Sequence, residues 1–138
     1  MKHIILLLTF LTIIGCEKDQ YHLNSPINTR WTLTAIQNTS TNAISYYPET
    51  IDKESVVFYD SLNIIRIKGV CNGCAGNYSI NSNIIKVNIS GCTQIFCNDV
   101  DWEGLLCGNL DSAYMYKMDS KQLTLYSKGK YNLIFSAN

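Results

Sequence analysis

Most of the chain after residue 29 alternates apolar and polar side chains with a period of two, which is the pattern of a half-buried β-strand. Asn, Gly, Ser and Asp separate the alternating runs. Short strands divided by turn residues predict antiparallel hairpins that curl into a small barrel. The alternating apolar positions are Trp31, Leu33, Ala35, Val56, Phe58, Ile65, Ile67, Ile85, Val87, Ile89, Leu123, Leu125, Leu133 and Phe135.

One segment, from Asp99 to Leu110, has helical rather than strand spacing. Its apolar residues are Trp102, Leu105, Leu106 and Leu110. Asn98 or Asp99 would serve as the N-cap. Gly104 and Gly108 lower the helix propensity, so we expect the helix to depend on packing its apolar stripe against the sheet. The predicted fold is mainly β (α+β), a small antiparallel, open β-barrel-like meander with one packed helix.

The N-terminus has the features of a lipoprotein signal peptide. Lys2 precedes an apolar run, Ile4–Ile14, that is shorter than the roughly 20 residues that span a bilayer. The run ends at Gly15-Cys16, which resembles the lipobox of bacterial lipoprotein precursors. A small residue permits cleavage before the cysteine, and its thiol accepts a diacylglyceryl group. We therefore expect lipidation at Cys16 and anchoring by two or three acyl chains, with palmitate among them.

Three segments follow from this assignment. Residues 1–15 form the signal peptide, residues 16–28 form a lipidated Cys with a polar, flexible tether, and residues 29–138 form one domain. The protein is expected in the cell envelope, in the outer membrane, with its domain in the periplasm or at the cell surface. Its 11 basic and 11 acidic residues balance, and the basic residues do not cluster, so no nucleic-acid partner is expected.

Five cysteines besides Cys16 carry the most informative chemistry of the chain. They are Cys71, Cys74, Cys92, Cys97 and Cys107. The first four could form structural disulfides, a zinc tetrathiolate, or a redox pair at Cys71 and Cys74. Export to an oxidising compartment favours disulfides over metal, and we expect neither a metal nor a cofactor.

The connectivity of these cysteines is open, since four cysteines allow three pairings. Links from the Cys71/Cys74 loop to the Cys92/Cys97 loop would close loops of roughly twenty residues, worth about 3 kcal/mol each in the chain-entropy estimate. Cys107 is left over. It adjoins the apolar stripe of the predicted helix, which favours a buried free thiol.

Two short motifs stand out between the predicted strands. They are Gly69-Val70-Cys71-Asn72 followed by Gly76-Asn77-Tyr78, and Thr93-Gln94-Ile95-Phe96-Cys97. Both resemble motifs of the META domain, the family of the heat-shock protein HslJ. The similarity covers about residues 29–136. Two features depart from the family's pattern: Phe96 stands where the family usually has Ala, and Cys74 and Cys92 add a second pair of cysteines. The similarity implies a β-rich barrel-like fold with a helix, and an association with stress tolerance without a settled biochemical activity.

Two functions are consistent with these features. The first is a non-enzymatic envelope lipoprotein that binds an envelope protein or an apolar ligand and supports stress tolerance. The second is a thiol–disulfide protein that uses Cys71 and Cys74. Catalysis has little support, because His22 is the only histidine after the signal peptide and lies in the predicted tether.

Overall fold

The computed structural model describes residues 25–49, 53–96, 101–119 and 121–138. This part of the chain contains nine strands and one α-helix. They are β1 (Arg30–Asn38), β2 (Ile44–Tyr46), β3 (Ser55–Tyr59), β4 (Ile64–Lys68), β5 (Gly73–Asn81), β6 (Ile84–Cys92), α1 (Asp101–Asp111), β7 (Ala113–Asp119), β8 (Gln122–Ser127) and β9 (Tyr131–Ala137).

The strands form a closed antiparallel barrel. Strands β3 to β9 pair in chain order, and β9 returns to pair with β1, so that eight strands make the ring. The first half of β1 pairs with β3 and its second half with β2. The predicted mainly β meander with one packed helix is confirmed. The ring is closed rather than open because β9 pairs with β1 about 100 residues away, a contact that alternation alone does not encode.

The barrel interior is filled with the side chains that the alternation selects. Those that are fully buried are Leu33, Val56, Phe58, Ile65, Ile85, Leu123, Leu125, Leu133 and Phe135. In β1 the register shifts between Leu33 and Ala35, so Ala35 and Ile36 are both buried although they are adjacent. Burial of this apolar surface is the main source of the fold's stability.

Helix α1 connects β6 to β7 and packs on the barrel through Leu106 and Leu110, both fully buried. The ring of Trp102 contacts that of Tyr47, with 4.8 Å between centroids. The helix agrees with the prediction for residues 99–110, but the candidate N-caps Asn98 and Asp99 lie outside the described residues. No described helix is long and apolar enough to cross a membrane.

The last residues of the predicted tether contact the barrel. Pro26 is buried, and its carbonyl accepts a hydrogen bond from Trp31 Nε1 at 2.8 Å. Ile27 bridges to Phe58, and the Asn28 amide donates to the Phe58 carbonyl at 2.7 Å. These contacts tie residues 26–28 to the sheet, and the tether over residues 16–28 stays a prediction. The predicted signal peptide and Cys16 lie outside the described residues.

Candidate functional site: sulfur and carboxylate groups beside the helix

The loop between β4 and β5 is held by a carboxylate from α1. Oε2 of Glu103 accepts hydrogen bonds from the amides of Cys71 and Asn72, at 3.0 and 2.9 Å. Burial of Glu103 raises its pKa, but the hydrogen bonds from Asn72 and Cys71 outweigh this, and the pKa lies below its ordinary value. A Cβ at Gly69 would collide with the backbone carbonyl of Asn72 and with Oε2 of Glu103, so this position needs glycine. Glu103 therefore fixes this loop to the helix as a charged hydrogen-bond acceptor.

Asn72 connects the same loop to the segment that follows β6. Its Oδ1 accepts from the Ile95 amide at 2.7 Å and from Thr93 Oγ1 at 3.0 Å, and its Nδ2 donates to the Ile95 carbonyl at 3.2 Å. Thr93 Oγ1 also accepts from the Gly73 amide at 3.1 Å. The two sequence motifs therefore bind one another through Asn72 and Thr93.

The remaining motif residues have packing roles. The register of β5 against β6 shifts between Ala75 and Gly76, and a Cβ at Gly76 would collide with the carbonyl of Asn88. Tyr78 packs its ring edge-on against Phe58, with centroids 5.1 Å apart, and donates its hydroxyl to the Tyr59 carbonyl at 3.1 Å. A glycine and a tyrosine at this spacing therefore meet structural requirements of the barrel wall.

A disulfide joins Cys74 on β5 to Cys92 on β6, where the two residues lie directly opposite each other. Cys71 is disulfide-bonded as well, and Cys97 lies outside the described residues. The prediction of a disulfide between the two cysteine-containing segments is confirmed for Cys74 and Cys92. A Cys71–Cys74 redox pair and a zinc tetrathiolate are both wrong for this structure, because Cys74 is bonded to Cys92. The pairing of Cys97 stays a prediction.

Cys107 is a free, half-buried thiol on α1. Its Sγ lies 3.5 Å from Sγ of Cys74, and the three sulfur atoms of Cys74, Cys92 and Cys107 lie within 4.8 Å of one another. We call these three residues the sulfur cluster. Burial raises the pKa of Cys107 to about 11, with smaller contributions from the charges of Glu103 and Glu54. The sequence predicted the free thiol but not this proximity, because Cys107 is 33 residues from Cys74.

Glu54 is the buried acid that sequence reasoning missed. Its side chain is fully buried, and neither carboxylate oxygen has a hydrogen-bond partner among the described residues. Burial and, secondarily, the charge of Glu103 raise its pKa to about 7. In the sequence Glu54 follows Lys53 at the start of a strand, which is typical of an exposed polar position. No local sequence pattern distinguishes Glu54 from an exposed acid at such a position.

The outer surface carries a second feature, the β2 edge. Strand β2 pairs with β1, and no described strand pairs with its other side. Ile44 and Tyr46 on β2 are 47% and 77% exposed. Ile44 also borders a surface groove of about 310 Å³ whose wall includes Lys117, Tyr126 and Ile134. We call Ile44, Tyr46 and this groove the β2 surface.

The fold and the site define a class of small β-barrel domain. Its features are a closed antiparallel barrel, one packed helix, two short polar motifs that bind each other, and a disulfide. The META domain model matches residues 23–138, and the chain belongs to the META domain family. The comparison with curated proteins found no match.

Two solved structures share this fold. One is an NMR structure of a protein from Burkholderia xenovorans, with a TM-score of 0.64 and 18% identity over 82% of this chain and 83% of the other. The second is the crystal structure of a DUF4847 family protein from Bacteroides vulgatus ATCC 8482. Its TM-score is 0.63 at 13% identity, over 82% of this chain and 94% of the other. At these identities the similarity extends to the fold alone.

Proposed function

We propose that this chain is a non-enzymatic, lipid-anchored protein of the cell envelope whose META domain binds a partner protein in envelope stress tolerance. The anchor is proposed from the lipobox-like sequence that ends at Cys16. It would retain the domain at the outer membrane, in the periplasm or at the cell surface. Membership of the META domain family supports the stress-related part of the proposal.

The filled interior of the barrel favours a protein partner over an apolar ligand. Large side chains, such as Phe58 on β3 and Phe135 on β9, are fully buried there, together with Leu106 from α1. A ligand inside the barrel would have to displace them, at a cost of several kcal/mol. We therefore place binding on the outside of the domain.

The observation that carries the proposal is the β2 surface. A strand with one free side presents backbone donors and acceptors to which an extended segment can add as a further strand. Tyr46 is 77% exposed beside that edge, and exposed aromatic side chains are frequent anchors of protein interfaces. Lys117 and Asp119 in the groove would favour a partner segment that carries both charge signs.

Photo-crosslinking in intact cells tests this assignment. A photoreactive amino acid at position 46 should give one discrete protein adduct, and the same amino acid at position 62 should not. Leu62 is a suitable control because it is 80% exposed and lies between β3 and β4, away from the β2 edge. Ile44→Asp should abolish the adduct and reproduce the stress sensitivity of a strain without the protein. Equal adducts at both positions, or full stress tolerance with Ile44→Asp, would contradict the proposal.

The anchor has a separate test. Cys16→Ser should move the protein from the detergent-soluble membrane fraction to the soluble fraction, and should remove the acyl mass from its N-terminal peptide. Cys107→Ser, which changes a different single cysteine, should leave both properties unchanged. An unmodified N-terminal peptide in the wild-type protein would overturn the lipoprotein assignment.

A further inference from the structure

The sulfur cluster places a thiol beside a disulfide whose two ends differ in exposure. Cys74 is 7% exposed, whereas Cys92 at the end of β6 is exposed. The disulfide therefore runs from the protein interior to the solvent. Cys92 is therefore the end of the disulfide that is open to an external thiol, whereas Cys74 is buried.

We propose that the Cys74–Cys92 disulfide is an exchange site for external thiols, which attack Cys92, while the Cys107 S–H stabilises the departing Cys74 thiolate. The attacking thiolate forms a bond to Sγ of Cys92, and the Cys74–Cys92 bond breaks. Its electron pair stays on Sγ of Cys74. The products are a mixed disulfide on Cys92 and a Cys74 thiolate that accepts a hydrogen bond from Cys107. An external thiol is the one co-reactant.

The position of Cys107 suits a donor. Cys74 has no sulfur-bound hydrogen in the disulfide, so the 3.5 Å contact between the two Sγ atoms is a hydrogen bond donated by Cys107. This donor already contacts the atom that becomes negatively charged when the bond breaks. The activation free energy of thiol–disulfide exchange falls when the leaving thiolate is stabilised. A hydrogen-bond donor beside Sγ of Cys74 therefore accelerates the reaction.

The surroundings of Cys107 keep it in the donor form. Burial is the main cause that raises its pKa to about 11, and the charges of Glu103 on its own helix and of Glu54, which precedes β3, contribute less. The thiol is therefore protonated at neutral pH. A protonated thiol is a poor nucleophile, so Cys107 does not itself attack the disulfide. This role is independent of the proposed partner binding at the β2 surface.

Reaction of the full chain with glutathione under native conditions tests the proposal. Samples quenched with acid at successive times and mapped by mass spectrometry should show glutathione on Cys92. Cys107→Ala should slow this reaction about tenfold, since a hydrogen bond to a developing charge is lost. Cys107→Ser keeps a donor at the same place and should react within about threefold of wild type. Leu105→Ala, a half-buried change on the same helix, is the control for looser packing and should not slow the reaction.

Four results would overturn the proposal. The first is glutathione on Cys74 or Cys107 in place of Cys92. The second is a glutathionylation rate in Cys107→Ala equal to or above that of wild type, and the third is a rate in Leu105→Ala reduced as much as in Cys107→Ala. The fourth is a wild-type glutathionylation rate no faster than the rate of global unfolding. The unfolding rates of all four proteins, measured in the same buffer, supply the last comparison. Peptide mapping also separates any glutathione adduct at Cys71 from the adduct at Cys92. Adducts at Cys71 are therefore not counted in the glutathionylation rates.

Discussion

The sheet of β7, β8 and β9 and the region around Glu103 lie in the same barrel but are stabilised differently. In β8 and β9 every second residue is a large apolar side chain, and Leu123, Leu125, Leu133 and Phe135 are fully buried. The region around Glu103 depends on directed contacts instead. It contains two amide hydrogen bonds to one carboxylate, three hydrogen bonds of one asparagine side chain, and a disulfide.

The two regions also differ in how completely their buried groups are satisfied. The apolar side chains of β8 and β9 leave no unsatisfied polar atom. Near Glu103, in contrast, Glu54 is buried with both oxygens unpartnered among the described residues. Buried polar groups without partners cost stability. Among the residues that the structure describes, such groups lie only near Glu103, which marks this region as the part of the barrel that is not optimised for stability.

Phe135→Ala should have the largest effect, because it removes a fully buried aromatic side chain from β9. We expect the free energy of unfolding to fall by about 3–5 kcal/mol, from lost burial and the cavity left behind. Urea denaturation followed by circular dichroism measures it. Tyr114→Ala on β7, where the side chain is 42% exposed, is the control and should cost less than about 1 kcal/mol. Similar losses in both variants would mean that the interior does not dominate stability.

Glu54→Gln should reveal the cost of the buried acid through pH. The pKa of Glu54 is raised from 4.5 to about 7 in the folded protein. The native state therefore holds its proton more tightly than the unfolded state, and stability falls as the pH rises from about 4.5 to about 7. The full penalty, about 3 kcal/mol, is present above pH 7 and absent below pH 4.5. The stability of Glu54→Gln relative to wild type should rise by that amount between pH 4 and pH 8.

The control for this measurement is Glu49→Gln, because Glu49 is exposed. As a substitution on the surface, it should change the stability by less than about 0.5 kcal/mol. Unfolding curves at pH 4, 5, 6, 7 and 8 for the three proteins give the comparison directly. A constant difference between Glu54→Gln and wild type at all pH values would show that Glu54 does not titrate between pH 4.5 and 7 in the folded protein.

The same contrast explains how much the sequence could predict. Alternation identified Leu123, Leu125, Leu133 and Phe135 because a strand with one buried face repeats every two residues. It could not identify the closure of β9 onto β1, nor the approach of Cys107 to Cys74, because these contacts join residues far apart in the chain. The motif resemblance located Cys71 and Asn72, yet their contacts with Glu103 depend on how α1 docks. Glu54 was missed because no local sequence pattern separates it from an exposed acid at the start of a strand.

Asn72→Ala should have a smaller and more local effect than the two preceding changes. It removes the three side-chain hydrogen bonds that join the β4–β5 loop to Thr93 and Ile95. These groups are partly exposed, and water replaces some of the lost bonds, so we expect a loss of about 2 kcal/mol. Amide hydrogen exchange measured by NMR should show faster exchange at Ile95, while the amides of Leu125 and Phe135 change only in proportion to global stability.

Asn77→Ala is the matched control, since Asn77 belongs to the same sequence motif but is exposed on β5. It should leave exchange at Ile95 unchanged and cost less than about 0.5 kcal/mol. If Asn72→Ala accelerated exchange equally at Ile95 and in β8 and β9, the loop would unfold only with the whole barrel. The polar region would then be part of one cooperative unit with the apolar sheet. Selective exchange at Ile95 would instead show that the region around Glu103 opens on its own, which would also expose the sulfur cluster to external thiols.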